Sequence, residues 1–243
     1  MHIDDIFLDS VDSTQNFAKE NFKNFDKSKI TCISANEQSK GRGRFNREWL
    51  SSKDDNLNVT FYFQLKADAL HLTSIAHILA LSLVKVLRDD RLDAKIKWPN
   101  DVMLFEKKLA GMLCEIEIKN NIADIFLGIG INVNNDKKFI DKIDQKATSL
   151  KIETNKVWDK EKLLKQLKED FSKNIIIFNE KGFLPFHEKF ENLLLYIGDK
   201  ITFFDGKKEY KGVLHSISSD GRLNLYISKG EIMCFAAGDI VNK

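Results

Sequence analysis

The stretch GRGRFNREW, residues 41–49, places three arginines and two glycines directly before an alternating apolar run. Glycine lets backbone N–H groups approach a ligand closely, and arginine pairs with phosphate or carboxylate oxygens through its planar fork. This combination favours a loop that covers an anionic ligand, and Trp49 adds a flat apolar surface suited to stacking. An isolated Gly-Arg pair would indicate only a solvated turn before a strand. Arg42, Arg44 and Arg47 are packed too closely for that simpler interpretation.

A second candidate site is KWPND, residues 97–101, followed by Lys108 within KKLAG. The proline removes a backbone donor and restricts the residue before it, so a fixed, non-helical turn is predicted here. Such a turn holds Lys97, Asn100 and Asp101 in defined positions. In KKLAG, two lysines precede a glycine at the start of a predicted strand, a combination that again favours binding of an anion. A β-turn with surface charges is the plainer alternative for KWPND alone.

The third candidate is GIGINVN, residues 128–134. Glycines inside a strand weaken it unless a ligand or another backbone comes close. Asn132 carries an amide that could read the edge of a heterocycle. A bulge in a buried strand is the alternative.

The composition excludes several classes of protein. Lysine plus arginine number 38 and aspartate plus glutamate 36, a formal net charge of +2, which does not indicate a broad polyanion-binding surface. The chain has no GxxxxGK[ST] phosphate loop, no GxSxG elbow, no signal-peptide pattern and no apolar run of membrane-spanning length. Its three cysteines are widely separated and its histidines lack metal-ligand spacing, so neither a disulfide framework nor a zinc site is predicted. A cytoplasmic location is expected.

The elements that must position these residues follow from periodicity. DSTQNFAKENF has the form of a capped helix, with Asp12, Ser13 or Thr14 as the cap. Apolar residues alternate with polar ones over residues 57–65, which predicts a strand. Helices are predicted over residues 69–88 and 159–181, and further strands over residues 30–36, KKLAGMLCEIEIK and IADIFLGIGINVN. Short strands with turns from residue 196 onward suggest a small β-barrel. The predicted fold is therefore α+β, with domains at 1–195 and 196–243.

The motifs DSTQ, EQSKGRGRFNREW, KWPND, KLAG, GIGINVN and ATSL, in this order, resemble the catalytic domain of biotin–protein ligases, also called biotin–[acetyl-CoA-carboxylase] ligases. The resemblance covers essentially the whole chain. It implies a class II synthetase-like mixed sheet with flanking helices, followed by an SH3-like β-barrel. It also implies an enzyme that uses ATP with Mg²⁺ to convert biotin into biotinyl-5′-AMP. The biotinyl group would then pass to a lysine of a biotin carboxyl carrier protein.

The resemblance also assigns roles by position. Residues expected to bind biotin are Ser13, Thr14, Gln15, Gln38, Gly41, Arg42, Gly43, Lys108, Gly111 and Leu113. Residues expected to hold the nucleotide are Arg44, Arg47, Trp49 and Asn132, and those expected to take part in the chemistry are Lys97, Asp101, Lys108 and Arg44. No protein metal ligand is implied. The chain departs from the family pattern at Gln15, where asparagine is frequent, at Phe45, where a basic residue often stands, and at Phe190, where tryptophan is usual.

Three alternatives remain at this point. A lipoate–protein ligase shares the fold and reaction type, although GRGR combined with KWPND points to biotin. A nucleic-acid-binding protein is the second; some biotin ligases repress transcription through an additional amino-terminal helix-turn-helix domain, but DSTQ begins here at Asp12, so DNA binding is not expected. A non-catalytic adaptor is the third. Both a monomer and a homodimer are compatible with the sequence.

Overall fold

A seven-stranded mixed sheet forms the larger part of the computed structural model, which describes residues 2–67, 72–227 and 230–242. Its strands are β1 (Ile3–Val11), β2 (Ile30–Gln38), β3 (Asn56–Lys66), β4 (Ala94–Lys97), β5 (Asp101–Leu104), β6 (Lys107–Lys119) and β7 (Ile122–Asn132). Their spatial order is β1-β2-β3-β7-β6-β5-β4, with β1 and β2 parallel and the other pairs antiparallel. Hairpins connecting β4 to β7 account for the antiparallel half.

Six helices flank or extend this sheet among the residues described. They are α1 (Thr14–Asn21), α2 (Ile75–Asp89), α3 (Lys137–Ile140), α4 (Leu150–Thr154), α5 (Lys160–Lys181) and α6 (His187–Leu193). The apolar stripe of α2 packs against α5 and the sheet, and Phe171 of α5 stacks on Phe61 of β3 with ring centroids 5.0 Å apart. The opposite face of the sheet carries α1 and a smaller cluster that includes Tyr62 and Phe126. The α+β class is therefore confirmed.

Local signals placed the start of α1 and both ends of α5 well. Ser13 is the cap of α1, where its side chain accepts a hydrogen bond from the amide of Gln15. Asp159 caps α5 in the same way, and the helix ends at Gly182. The helix predicted over residues 69–88 begins later, because a 3₁₀ turn, Leu72–Ser74, precedes α2; residues 69–71 of that prediction lie outside the described residues.

The last part of the chain forms a five-stranded antiparallel sheet. Its strands are β8 (Lys200–Phe204), β9 (Glu209–Ile217), β10 (Leu223–Ile227), β11 (Ile232–Phe235) and β12 (Asp239–Asn242), in the order β11-β10-β9-β8-β12. The predicted run of short strands is confirmed. The pairings among the described residues leave β11 and β12 at the two edges, so they give a sheet and not a closed barrel. The predicted boundary between residues 195 and 196 falls between α6 and β8 and stays a prediction.

No helix within the described ranges is long and apolar enough to cross a membrane.

Candidate active site

A cavity of about 720 Å³ opens on the α1 face of the large sheet. This is a volume typical of small-molecule sites. It is lined by the predicted site residues Ser13, Thr14, Gln15, Gln38, Arg42, Gly43, Arg44, Arg47, Trp49, Lys97, Asp101, Lys108, Gly111, Leu113 and Asn132. Gly41 lies behind this wall: its amide oxygen accepts from Trp49 N at 2.9 Å, and an added Cβ would stand 2.5 Å from Trp49 O. Folding therefore brings together motifs that are far apart in sequence.

Strand register explains why the cavity forms where it does. One row of paired residues crosses β3, β7, β6, β5 and β4, and consists of Asn58, Gly130, Gly111, Asp101 and Lys97. A neighbouring row on the same face consists of Thr60, Gly128 and Leu113. Because three of these positions are glycine, side chains from other elements can pack close to the centre of this face: Trp49 over Gly130, Gln15 over Gly128 and Lys108 over Gly111. The glycines of GIGIN and KLAG thus form the floor of the cavity.

Two glutamine amides and two hydroxyls define one end of the cavity. Gln38 Oε1 accepts from the backbone N–H of Thr14 at 2.7 Å and from its hydroxyl at 3.0 Å. Gln15 Nε2 donates to Phe126 O at 2.9 Å, while Gln15 Oε1 accepts from the Thr60 hydroxyl at 3.1 Å. A backbone N–H can only donate and a backbone carbonyl can only accept, so both amides are held in one orientation. The amino group of Gln38 and the oxygen of Gln15 are left to serve the cavity.

The two arginines of GRGR point to opposite ends of the cavity. Arg42 turns toward α1, where its Nη2 donates to Asn16 Oδ1 at 2.9 Å. Arg44 turns toward the small sheet, where its Nη1 lies 2.6 Å from Asp239 Oδ1 and 3.0 Å from Gly238 O. Burial lowers the pKa of Arg44, although neighbouring Asp239 opposes this; the guanidinium stays charged. Arg42 forms an isolated antiparallel bridge with Glu48, and Arg44 begins a 3₁₀ turn, so the loop directs its first two arginines to different ends of the cavity.

Phe45, one of the departures from the family pattern, lies between two arginines. Its backbone is left-handed at φ 54°, and its ring is exposed. The guanidinium carbons of Arg44 and Arg47 lie 4.9 and 5.8 Å from the ring centroid, within cation–π range. Arg47 Nη1 is also 3.1 Å from Asp239 Oδ2. Compared with the basic residue frequent at this position in the family, Phe45 removes a charge from the loop but adds an aromatic surface that contacts Arg44 and Arg47.

The KWPND segment connects β4 to β5: Lys97 is the last residue of β4 and Asp101 is the first residue of β5. Lys108 Nζ forms an ion pair with Asp101 Oδ1 at 2.8 Å. Asn100 Nδ2 donates to Met112 O at 2.6 Å, which fixes the turn to β6. Burial lowers the pKa of Lys97, while Asp101 opposes this. The structure thus places Lys97, Asp101 and Lys108 close together, while the roles expected of them stay predictions.

Trp49 and a network of asparagines form the other end of the cavity. The Trp49 ring covers Gly130 so closely that any Cβ there would collide with it, and its Nε1 donates to Asn58 Oδ1 at 3.2 Å. Asn132 is fully buried; its amide oxygen accepts from Asn56 at 3.1 Å and its nitrogen donates to Thr148 O at 3.0 Å. Both groups of the Asn132 amide are therefore held by the protein at this end of the cavity, and its contact with a nucleotide stays a prediction.

The sequence did not single out two acidic residues that the structure places at the site. Glu115 accepts from Gln15 Nε2 at 3.0 Å, and Asp239 holds Arg44. Glu115 carried a usable signal, because it continues the strand alternation of Gly111 and Leu113 onto the same face. Asp239 carried none, since β12 is four residues long and has no recognisable motif.

Phe190, another departure, lies away from the cavity. It is fully buried, with its ring centroid 4.4 Å from that of His77 and 5.5 Å from that of Phe183. The substitution therefore concerns packing of α6 against α2.

The cavity thus has a floor of glycines on a mixed sheet, a polar end and a cationic end. This arrangement is typical of an enzyme domain that binds a small ligand with an anionic group. The chain belongs to the Biotin/lipoate A/B protein ligase family, whose sequence profile matches residues 7–132. Its structure resembles that of a biotin protein ligase from Aquifex aeolicus in complex with biotin and ATP, with a TM-score of 0.83, 33% identity and coverage of 99% of this chain and 98% of that one.

Curated relatives agree with this assignment. The bifunctional ligase/repressor BirA of Salmonella typhimurium is 28% identical over 235 residues, which span 96% of this chain and 72% of that protein. The biotin–[acetyl-CoA-carboxylase] ligase of Paracoccus denitrificans is 28% identical over 199 residues, which span 79% of this chain and 82% of that protein.

Proposed function

We propose that this protein is an ATP-dependent biotin–protein ligase. The carboxylate of biotin attacks the α-phosphate of ATP, pyrophosphate leaves, and biotinyl-5′-AMP is formed. A lysine amine of a biotin carboxyl carrier protein then attacks the mixed anhydride, and AMP leaves. Both steps use the cavity described above, and neither requires a covalent bond to the enzyme.

The observation that carries the choice of biotin is the orientation of the two glutamine amides. Gln38 presents an N–H donor and Gln15 presents an acceptor oxygen on the same cavity wall. The head group of biotin is a cyclic urea, which has one carbonyl acceptor flanked by N–H donors. The dithiolane ring of lipoate has neither, and would leave the amino group of Gln38 and the second acceptor position of Gln15 Oε1 without a partner, which disfavours its binding. The polar end therefore supports biotin over lipoate.

The cationic end supports a role in adenylate formation. Lys97, Lys108 and Arg44 would face the reacting carboxylate and the α-phosphate, where negative charge accumulates in the transition state. Preorganised cations in a site that excludes water stabilise such charge strongly. Asp101 would keep the Lys108 ammonium in place through their 2.8 Å ion pair. Arg47 and Trp49 would hold the nucleotide.

Mg²⁺ would enter with ATP, bound mainly by phosphate oxygens. Mg²⁺ in nucleotide sites keeps several waters and takes only one or two protein carboxylates. Asp101 and Asp239, the carboxylates of the cationic end, are both paired with cations. Within the described ranges no cluster of three potential ligands forms. A metal that arrives bound to ATP would need no more than these carboxylates.

The experiment is carrier biotinylation measured by mass spectrometry. The purified protein is incubated with biotin, ATP, Mg²⁺ and a panel of carrier domains, and one carrier should gain the mass of a single biotinyl group. Biotin should stimulate ATP–pyrophosphate exchange, whereas lipoate should not. Absence of an adduct on every carrier would contradict the transfer activity, and stimulation by lipoate alone would support the lipoate alternative. We infer a cytoplasmic location for the enzyme, acting as a monomer or a homodimer.

A further inference from the structure

Glu115 is an acidic residue of β6 that lies beside the cavity and outside its lining. It pairs across the sheet with Phe126, one row beyond Leu113 and Gly128, and its side chain is about a quarter exposed, at 27%. Hydrogen-bond donors from two other elements converge on it. Gln15 Nε2 lies 3.0 Å from Oε2, Arg42 Nη2 lies 3.4 Å from Oε2, and Lys19 Nζ lies 3.5 Å from Oε1.

The contact with Gln15 matters most, because Gln15 is almost completely buried, at 4% exposure. Its amino group has two hydrogens, and two acceptors take them: Phe126 O at 2.9 Å and Glu115 Oε2 at 3.0 Å. Without Glu115, one hydrogen would lose its partner in a nearly dry environment, and the amide could lower its energy only by moving. The position of Gln15 Oε1 over Gly128 depends on that amide.

Through its contact with Arg42, Glu115 also helps to position the GRGR loop. Arg42 Nη2 is shared between Asn16 Oδ1 and Glu115 Oε2, so one carboxylate joins β6 to α1 and to the first arginine of GRGR. These are the elements that surround the polar end of the cavity. The cationic end has its own acidic partners, Asp101 and Asp239.

We infer that Glu115 is a positioning residue for the urea end of the ligand: it does not touch biotin, but fixes the Gln15 amide whose oxygen accepts from a urea N–H. This inference rests on the proposed function. It assigns to Glu115 an effect on biotin affinity that is separate from catalysis. ATP binding at the opposite end of the cavity should be largely independent of it.

The test compares two substitutions of nearly equal length. Glu115→Gln keeps an oxygen that can accept from Gln15 Nε2, whereas Glu115→Met has no comparable acceptor. In biotin-dependent ATP–pyrophosphate exchange, Glu115→Met should raise the KM for biotin about tenfold, the change expected for a lost hydrogen bond to a charged group. Its kcat and its KM for ATP should stay within about twofold of wild type. Glu115→Gln should restore most of the biotin KM.

Glu117→Gln is the matched control. Glu117 lies two residues further along β6 and shares Lys19 at 3.5 Å, but its side chain is half exposed. Its substitution should leave both KM values unchanged. Circular dichroism and thermal unfolding check the fold, and Glu115→Ala replaces Glu115→Met if the latter does not fold. In a Gln15→Met background, Glu115→Met should add no further increase in the biotin KM.

Two results would overturn the inference: a biotin KM for Glu115→Met within about twofold of wild type, or an equal increase in Glu115→Met and Glu115→Gln. The second would show that charge, and not the hydrogen bond to Gln15, is what matters. The wild-type arm separates these results from failure of the proposed function, since wild type without any biotin-dependent exchange would contradict the function itself.

Discussion

At the scale of single residues, the cavity balances its cations with carboxylates that belong to the protein. Arg44 and Arg47 pair with Asp239, and Lys108 pairs with Asp101. A cluster of unpaired cations in a partly buried cavity would repel and destabilise the fold. The carboxylates remove that repulsion, and an anionic substrate can exchange with them. The cations are thus held in position before the substrate arrives.

Lys108 is expected to be required for adenylate formation. Lys108→Ala removes an ammonium from the cationic end and should reduce biotin-dependent pyrophosphate exchange by about 10²–10³, the usual effect of losing one preorganised donor. The far-ultraviolet circular dichroism spectrum should be unchanged. Lys107→Ala is the control, since Lys107 pairs with Glu153 at 3.0 Å and lies outside the cavity. Near-normal exchange by Lys108→Ala would rule out this role.

Lys97 should determine the alkaline limit of the reaction. Burial lowers the pKa of its ammonium, Asp101 and Asp239 raise it, and Lys108 and Arg47 lower it. Because the net shift is downward, Lys97 loses its proton at a lower pH than an exposed lysine, and adenylate formation should fall as pH rises through that value. Lys97→Arg keeps its charge, since arginine does not titrate in this range.

The measurement for Lys97 is the pH profile of pyrophosphate exchange. The alkaline limb of Lys97→Arg should move to higher pH, even if its rate at neutral pH is lower. Lys95→Arg changes a lysine of the same strand that lies outside the cavity, and should leave the profile in place. An unchanged alkaline limb in Lys97→Arg would show that another group sets it.

At the scale of elements, β7 divides the cavity into two ends through two glycines. Gly128 pairs with Thr60 and Gly130 pairs with Asn58 on the neighbouring strand. A Cβ at residue 128 would stand 2.8 Å from Gln15 Oε1, while one at residue 130 would collide with the Trp49 ring. Gly128 thus leaves room for the Gln15 amide at the polar end, and Gly130 leaves room for the Trp49 ring at the other end.

Alanine at these two positions should therefore affect different substrates. Gly128→Ala displaces the Gln15 amide and should raise the KM for biotin about tenfold or more, whereas Gly130→Ala displaces the Trp49 ring and should raise the KM for ATP by a similar factor. Overpacking should also destabilise each variant by about 1–3 kcal/mol. Steady-state kinetics with each substrate varied in turn makes each variant the control for the other. If both substitutions raised the same KM, the cavity would not be divided in this way.

At the scale of the whole molecule, the small sheet completes the cationic end through Asp239. Gly238, with φ 142°, precedes it, and a Cβ there would collide with the Phe203 ring of β8, so the turn before β12 needs glycine. The Asp239 carboxylate forms ion pairs with Arg44 and Arg47 of the arginine loop. Ile240 and Asp239 also line the cavity. The site thus draws on both sheets.

This long-range assembly marks the limit of what the sequence could predict. The strand over residues 57–65, the helix over residues 159–181 and a cap among Asp12, Ser13 and Thr14 follow from local periodicity and local hydrogen bonds. The structure contains all three, with Ser13 as the cap. The pair Arg44–Asp239 joins residues 195 positions apart, and Gln15–Glu115 joins residues 100 positions apart. No local pattern encodes such contacts, because they depend on strand order and on how the two sheets meet.

Arg44 should retain the adenylate more than it accelerates adenylate formation. A charged side chain over the intermediate contributes once the anionic adenylate exists, and it lowers the rate of escape. Arg44→Gly should therefore still form biotinyl-5′-AMP but release it, and the freed anhydride would acylate lysines of bystander proteins. Serum albumin added to the reaction should gain at least about ten times more biotin with the variant than with wild type, equivalent to roughly 1.4 kcal/mol of lost retention.

Asp239 should act on the same step through Arg44, because it accepts the 2.6 Å contact that holds the guanidinium at this end of the cavity. Asp239→Asn keeps the size of the side chain but weakens a charge-assisted hydrogen bond, so albumin labelling should rise by a smaller factor, about threefold. In the double variant with Arg44→Gly, Asp239→Asn should increase albumin labelling only slightly further. That further increase would come from the loss of its ion pair with Arg47. Asp205→Asn, in an exposed turn of the small sheet, is the control. If Asp239→Asn labelled albumin no more than wild type or Asp205→Asn does, the small sheet would not contribute to retention of the intermediate. Arg44 would then act with Asn100, whose Oδ1 lies 3.4 Å from its Nη1, as its remaining side-chain hydrogen-bond partner.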